Sequence, residues 1–214
     1  MGIKETARYL VVLLLLVCNT RLLYGLDAEV QKAGLVDIRD IDKRIVLDIR
    51  YATKQNFTGH ALYPCAKCYL RKDVAERLKR AQDACEAKGL RIKVFDCYRP
   101  LSVQKKMWAL VNDERYVADP MTGSKHNRGA AVDLTLLDAE GKELDMGTGY
   151  DDFSPNAAPG AGSISEGAKR NRQALARVMI ECGFRQSVTE WWHYDCVGWE
   201  QYDILDIGFS RLTQ

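Results

Sequence analysis

The stretch that decides the fold is SKHNRGAAVDLTLL, residues 124–137. Its second part alternates apolar and other side chains from residue 130 onward, which predicts a β-strand over residues 130–137. The apolar face of that strand consists of Val132, Leu134 and Leu136. Asp133 lies on the opposite face, so we expect its carboxylate to point at a cavity or at solvent.

Further strands and helices are predicted on both sides of this strand. The apolar patterns indicate strands over residues 42–50, 90–98 and 184–196, and helices over residues 71–88, 100–112 and 166–182. We expect two of the helices to bury apolar stripes, formed by Val74, Leu78, Ala81 and Cys85 in one and by Leu175, Val178, Met179 and Cys182 in the other. Loops are expected over residues 56–69 and 154–163. Short strands with separate helices predict an α+β fold with a small, largely antiparallel sheet and flanking helices.

Length and composition place the chain among ordinary globular proteins. It has 214 residues, 47% hydrophobic and 28% charged, which is enough to bury a core. Lys and Arg number 31 against 29 Asp and Glu, for a formal charge of +2. This near-balance provides no basic field, so we expect neither a nucleic-acid partner nor an anionic membrane surface. The sequence leaves the oligomeric state open.

The N-terminus resembles a secretory signal. Lys4 and Arg8 precede the apolar run YLVVLLLLVC, which is too short to span a bilayer comfortably. We predict a signal peptide over residues 1–25, with cleavage near Gly25, and a single domain over residues 26–214. Lipid attachment at Cys18 and a retained anchor are the alternatives. The prediction is therefore an exported, periplasmic protein with no stable membrane span.

Six cysteines follow the predicted signal peptide: Cys65, Cys68, Cys85, Cys97, Cys182 and Cys196. An even number in an exported chain favours structural disulfides, although 15 pairings are conceivable. Cys65 and Cys68 form a CxxC pair. A zinc ribbon needs a second such pair, which the sequence lacks, and a redox-active pair is the alternative to a structural role.

The sequence has only three histidines, His60, His126 and His193, so any chemistry that needs an imidazole must use these residues. Gly129 can adopt the backbone angles that fold the preceding loop back, which would bring His126 to Asp133. His193 would supply a third ligand, and two imidazoles with one carboxylate leave a fourth position for water, as catalytic zinc sites do. Glu190, three residues before His193, suits a general base beside the metal, provided that the chain bends there.

Four ordered motifs resemble those of zinc D-alanyl-D-alanine peptidases. SKHNRGAAVD matches the SxHxxGxAxD signature, EWWHY at residues 190–194 matches the ExxH signature, and DCYRP at residues 96–100 matches the DxYRP segment. YATKQNFTG at residues 51–59 is similar to a segment of the vancomycin-resistance type D-Ala-D-Ala dipeptidases. The resemblance runs from about residue 46 to residue 194, and it implies the α+β fold shared with D-Ala-D-Ala carboxypeptidases and hedgehog-like domains.

The resemblance also implies roles for individual residues. It makes one zinc ion per chain the cofactor, with ligands His126, Asp133 and His193 and with Glu190 as catalytic base. Arg99 would stabilise the tetrahedral intermediate, since a guanidinium is a fixed donor to an oxyanion; a structural salt bridge is the alternative. The remaining implied residues hold substrate, with Asp151 binding its ammonium group and Tyr51 and Ser124 lining the pocket near its carboxylate.

Some assignments remain open at this level. Asp152, next to Asp151, could be the ammonium partner, and Tyr51 and Ser124 could make only local hydrogen bonds. His60 has no assigned role, and we expect a solvated loop residue rather than a substrate contact. The CxxC departs from the resistance-type enzymes and resembles an exported branch of the family.

The sequence therefore predicts a zinc dipeptidase that hydrolyses D-Ala-D-Ala to two D-alanines, with a small dipeptide as its partner. One rival is a D,D- or L,D-carboxypeptidase that trims longer peptidoglycan peptides. The other is a non-catalytic, hedgehog-like zinc-binding module.

Overall fold

The computed structural model describes residues 28–213, so the predicted signal peptide and its cleavage site lie outside the described residues. The described residues divide into two units, one that ends at residue 34 and one that begins at residue 35. In the first unit, the described part is a helix, α1, over residues 28–33. No helix in residues 28–213 combines the length and the apolar character needed to cross a membrane.

The second unit is built on a five-stranded sheet in the order β2–β4–β5–β7–β6. Its strands are β2 (Val46–Leu47), β4 (Arg91–Asp96), β5 (Ala131–Leu137), β6 (Phe184–Gln186) and β7 (His193–Cys196). All neighbouring pairs are antiparallel except β2 and β4. The predicted α+β class and the largely antiparallel sheet are therefore confirmed, with one parallel pair at the edge.

Four helices and a two-stranded ladder accompany this sheet. The helices are α2 (Ile38–Ile41), α3 (Lys72–Glu86), α4 (Leu101–Leu110) and α5 (Glu166–Glu181), and a last helical turn, α6, covers Phe209–Leu212. The ladder pairs β1 (Leu35–Asp37) with β3 (Tyr69–Arg71) in antiparallel fashion. The sequence pattern did not predict this ladder, because three-residue strands are too short to show a period.

The predicted helices α3 and α5 form with their apolar stripes inward. The four residues of the α3 stripe are all fully buried, and so are the inward side chains of α5 apart from Cys182, which is half-buried at the C-cap. Ser165 caps the start of α5 by accepting a hydrogen bond from the amide of Ala168, 3.0 Å away. Since α3 also packs against β4, the core lies between the helices and the sheet.

Two predicted strands are shorter than expected. The one predicted over residues 42–50 is only Val46–Leu47, because the chain then enters a 3₁₀ turn over Arg50–Ala52 that buries Tyr51. The one predicted over residues 184–196 is a hairpin of β6 and β7, whose connecting residues 187–192 turn the chain back. Both departures shape the candidate site, since they place Tyr51 and Glu190 in turns.

A disulfide joins Cys68 to Cys97, while Cys65, Cys85, Cys182 and Cys196 are free thiols. The sequence favoured structural disulfides without choosing their pairing, and one such pair is present among the described residues. The CxxC does not close on itself, because Cys68 pairs across to the segment after β4. Burial raises the pKa of the Cys85 thiol to about 11, which keeps this thiol protonated and inert.

Candidate active site

The register of the central strands brings the predicted ligands together. Asp133 of β5 pairs with His193 of β7. His126 arrives from a 3₁₀ turn, Lys125–Arg128, which ends at Gly129 in the left-handed conformation with φ of 66°. A side chain is disfavoured at that φ, and a Cβ there would also come within 2.6 Å of Leu35. Gly129 thus folds the preceding loop back toward β5, as the sequence predicted.

Three donor atoms of these side chains face one point. His193 Nδ1 lies 2.8 Å from Asp133 Oδ1, His126 Nε2 lies 3.3 Å from the same oxygen, and the two ring nitrogens are 3.1 Å apart. His126 and Asp133 are buried and His193 is half-buried. Among the described residues, this is the one group of histidine, cysteine and acidic side chains with metal-binding geometry.

Outer hydrogen bonds fix which atoms face that point. His126 Nδ1 lies 2.7 Å from the carbonyl oxygen of Cys97, and His193 Nε2 lies 2.9 Å from Asp195 Oδ1. The Tyr150 hydroxyl donates to Asp133 Oδ2 over 2.9 Å. Partners of this kind orient metal-binding imidazoles and carboxylates and set the tautomer. They leave His126 Nε2, His193 Nδ1 and Asp133 Oδ1 available to a cation.

The donor set fits zinc. Ligands at about 2.0–2.1 Å from a tetrahedral ion lie roughly 3.3 Å from one another, close to the separations found here. Burial opposes the charged form of Asp133, but the two imidazoles outweigh it and hold the pKa of this carboxyl well below its usual range. The carboxylate is thus ready to bind a cation, together with two nitrogen donors that Zn²⁺ commonly takes.

Glu190 lies in the β6–β7 turn, where the expected bend is present. Its Oε2 lies 4.0 Å from His193 Nδ1, so the carboxyl is beside the three donor atoms without joining them. Burial raises the pKa of Glu190 above the ordinary glutamate value. A raised carboxyl pKa suits a group that takes and returns a proton near neutral pH.

Arg99 is buried and held from three sides. Its Nε and Nη2 donate to Asp96 Oδ2 over 3.1 and 2.7 Å, and its Nη1 donates to Gln104 Oε1 over 2.8 Å. The guanidinium also lies 5.1 Å from the centre of the Tyr51 ring. Arg99 therefore does form the structural salt bridge that was the alternative to a catalytic role. It also lines the cavity, and its guanidinium has further N–H donors besides those used in these bonds.

Two of the predicted substrate residues, Tyr51 and Asp151, contact each other in the cavity, and the third, Ser124, lies next to His126. The Tyr51 hydroxyl lies 3.1 Å from both carboxylate oxygens of Asp151. Burial raises the pKa of Asp151 well above its usual value. Ser124 is buried, and its hydroxyl accepts a hydrogen bond from the amide of His126 over 3.2 Å. Asp152 instead caps the amide of Ser154 and does not line this cavity.

A single cavity of about 350 Å³ collects these side chains. This volume lies in the range of small-molecule sites, about 300–1,000 Å³. The eight residues to which the resemblance assigned a role all line it: Tyr51, Arg99, Ser124, His126, Asp133, Asp151, Glu190 and His193. His60 lies apart, exposed in a loop, with its Nδ1 2.7 Å from the carbonyl oxygen of Thr58.

Sequence reasoning missed three contributors. Asp195 orients His193, Tyr150 holds Asp133, and Asp96 anchors Arg99. The sequence could have indicated Asp195, because residues two apart on a strand share a face and Asp195 follows His193 by two. Asp96 was visible only as part of a motif. Tyr150 had no such signal, since its contact with Asp133 joins a loop to a strand.

The sequence is similar to a family of known proteins and to several curated ones. The peptidase M15 family model, described as D-ala-D-ala dipeptidase, matches residues 31–206. A D-alanyl-D-alanine dipeptidase of Escherichia coli (strain K12) is 36% identical over 176 residues, covering 82% of this chain and 91% of that protein. A D-alanyl-D-alanine dipeptidase of Enterococcus faecalis (strain ATCC 700802 / V583) is 32% identical over 171 residues, covering 70% of this chain and 85% of that protein.

Solved structures with some likeness include the vancomycin resistance D,D-dipeptidase VanXYg in complex with a D-Ala-D-Ala phosphinate analog. It is 18% identical, with a TM-score of 0.41, and the match covers 76% of this chain and 66% of that chain. The chain belongs to the D-Ala-D-Ala dipeptidase family of peptidases.

Proposed function

We propose that the chain is a zinc-dependent dipeptidase that hydrolyses D-Ala-D-Ala to two D-alanines in cell-wall peptide metabolism. The observation that carries the proposal is the meeting of ligands, base, guanidinium and ammonium-binding carboxylate on one cavity. The relatives named D-alanyl-D-alanine dipeptidase support the choice of substrate. The reaction adds one water across the peptide bond, so that the C–N bond breaks and a C–O bond forms.

His126, Asp133 and His193 would hold one zinc ion per chain. When bound, zinc would polarise the scissile carbonyl and make a water molecule at the site more acidic. Glu190 is placed to take the proton from that water, because its carboxylate lies beside the donor atoms without binding among them. The same carboxyl then delivers the proton to the leaving amine, and its raised pKa favours this return.

Arg99 would donate to the negative oxygen that develops on the attacked carbonyl. Its hydrogen bonds to Asp96 and Gln104 keep the guanidinium in one orientation during the reaction. A donor that does not have to reorient lowers the activation barrier of the reaction most effectively. The family's implied role and the observed salt bridge are thus compatible, since the carboxylate of Asp96 holds one edge of the guanidinium.

The free amino group of the substrate would bind Asp151, whose carboxylate is half-buried and steadied by the Tyr51 hydroxyl. A carboxylate at this place restricts the site to peptides whose N-terminus begins one residue before the scissile bond. Ser124, next to His126, would complete the pocket on the side of the substrate carboxylate, whereas Tyr51 lies beside Asp151 at the ammonium end. The carboxylate of Asp151 at the N-terminal end of the substrate favours a dipeptidase over a carboxypeptidase that acts on longer peptidoglycan peptides.

The test is hydrolysis of D-Ala-D-Ala by purified protein, before and after treatment with a chelator and after zinc is restored. We expect release of D-alanine that is lost on chelation and regained with zinc. A parallel assay on a cell-wall pentapeptide separates the rivals. Faster cleavage of the pentapeptide would favour the carboxypeptidase, and zinc binding without hydrolysis of either peptide would favour the hedgehog-like module.

We also propose that the protein is exported to the periplasm. The apolar run after Lys4 and Arg8 supports this, and so does the disulfide between Cys68 and Cys97, since disulfides persist in oxidising compartments. Fractionation of cells that express the full chain should place it in the periplasmic fraction. An N-terminal sequence that begins near residue 26 would confirm cleavage, whereas a lipid on Cys18 would support the anchored alternative.

A further inference from the structure

Arg172 of α5 is buried and makes an unusual set of contacts. Its side chain donates to the carbonyl oxygens of Met146 over 2.6 Å, Ala158 over 2.8 Å and Asn156 over 2.9 Å. The Thr148 hydroxyl lies 3.4 Å from Nη2. All four acceptors are neutral oxygens of a single loop, residues 146–158.

These acceptors lie on both sides of Asp151. Met146 and Thr148 precede it, and Asn156 and Ala158 follow it, so one guanidinium joins the two arms of the loop at its base. Asp151 has a φ of 58°, the one left-handed non-glycine residue among residues 28–213. A strained backbone of this kind persists only where its surroundings over-determine it. The hydrogen bonds of Arg172 to both arms of the loop are part of those surroundings.

The same guanidinium also connects the loop to the turn that carries Glu190. It lies 5.6 Å from the centre of the Trp191 ring, and Trp191 Nε1 donates to the Thr148 hydroxyl over 2.9 Å. The Trp191 amide donates to the carbonyl oxygen of Ala157, also over 2.9 Å. Arg172 therefore lies where the loop of Asp151 meets the residue that follows the proposed base.

We propose that Arg172 is a positioning residue that sets the place of Asp151 and, through it, the place of the substrate ammonium group. The inference rests on the proposed function, and it deepens that function by naming what holds the ammonium-binding side. Lysine is a poor replacement, because one ammonium nitrogen cannot span carbonyl groups on two arms as a planar guanidinium does.

The test compares Arg172→Met and Arg172→Lys with Arg177→Met, a matched control at an exposed position of the same helix. The substrates are D-Ala-D-Ala and its N-acetyl derivative, which lacks the ammonium group. We expect Arg172→Met to reduce the kcat/KM preference for the free amine about 10- to 100-fold, mainly through KM. Arg172→Lys should lie between the wild type and Arg172→Met, and the control should match the wild type.

A double-mutant cycle with Asp151→Asn shows whether Arg172 acts through Asp151. In the Asp151→Asn background, Arg172→Met should cause little further loss of the preference, because the group it places is already neutral. A full additional loss in that background would overturn the proposal, and so would an equal loss for both substrates in the single variant. If Arg172→Met does not fold, the same double-mutant cycle is measured with Arg172→Lys in its place.

Hydrogen exchange separates this proposal from the proposed function. Amides of residues 146–158 should exchange about tenfold faster in both Arg172 variants, while β5 and β7 keep their protection. Unchanged exchange in the loop overturns the positioning role, whatever the activity. A wild-type chain that cleaves neither substrate contradicts the proposed function, and the loop exchange then still decides whether Arg172 holds Asp151 in place.

Discussion

The two sides of the cavity are held in different ways. The sheet side, formed by Asp133, His193 and Asp195, takes its geometry from strand register between β5 and β7. The loop side, residues 146–158, has no strand of its own and is held by hydrogen bonds from Arg172 and Trp191. Strand register therefore places Asp133 and His193, and side-chain hydrogen bonds place the loop that carries Asp151, the proposed partner of the substrate ammonium group.

The largest expected effect concerns Glu190, which lines the cavity from the turn between β6 and β7. Glu190→Gln should lower kcat about 10³-fold, because the amide cannot take a proton, while zinc content stays at the wild-type level. Steady-state kinetics and metal analysis measure the two quantities. Glu181→Gln, at the exposed end of α5, is the control. Near-normal cleavage by Glu190→Gln would show that another group is the base.

On the loop side, Asp151→Asn should raise KM for D-Ala-D-Ala about 10- to 100-fold, since it removes a charged partner of the substrate ammonium group. The zinc dissociation constant should remain unchanged, because Asp151 lies outside the donor set. Asp152→Asn is the matched control. A larger effect in the Asp152 variant would reassign the ammonium partner.

On the sheet side, Asp195→Asn should weaken zinc binding about 10- to 100-fold, because it removes the acceptor that orients His193. Activity should return at saturating zinc, with KM close to the wild-type value. Competition with a chromophoric chelator gives the affinity. Asp40→Asn, at an exposed position of α2, serves for comparison. A rise in KM without a change in zinc affinity would contradict the separation of the two sides.

A smaller effect is expected from Gly129→Ala, at the bend that brings His126 to the sheet. The left-handed φ and the 2.6 Å approach to Leu35 should cost about 1–3 kcal/mol in the free energy of unfolding. Gly160→Ala, where a Cβ meets nothing within 4 Å, should change it by less than about 0.5 kcal/mol. Chemical denaturation of both variants measures the difference, and equal stabilities would show that the bend tolerates a side chain.

The smallest effect concerns pH. Burial raises the pKa of Glu190, so in the metal-free protein this carboxyl should keep its proton to higher pH than an ordinary glutamate. As pH falls through that raised value, the base becomes protonated, so kcat/KM of the zinc-loaded enzyme should decline on the acid side. Carboxyl NMR of metal-free wild type and Glu190→Gln identifies the titration. A Glu190 pKa at or below 4.5 would contradict the burial argument.

Local pattern predicted the helices and strands that have a clear period. Helices α3 and α5 bury the expected stripes almost completely, and β5 begins within one residue of the predicted start. Local pattern did not predict the pairing of β1 with β3 or the hairpin of β6 with β7. Short strands are defined by their pairing partners, and a period of two cannot be recognised over three residues.

For the site, residue type and spacing were sufficient to name candidates but insufficient to arrange them. The motifs identified Tyr51, Arg99 and Asp151 only through resemblance to a family. The structure adds that Tyr51 contacts Asp151, and that Arg99 is held by Asp96 while it lines the cavity. Such contacts join residues far apart in the chain, and spacing carries no information about them.

The sequence by itself determined the set of chemical groups, since imidazoles, carboxylates and guanidinium are properties of residue identity, and glycine at position 129 permits the bend. Only the tertiary structure decided which oxygen or nitrogen faces the metal position, which aspartate reaches the cavity and which arginine holds its loop. The physical reason is that hydrogen bonds and strand register act through space between distant segments, and their geometry exists only once the chain has packed.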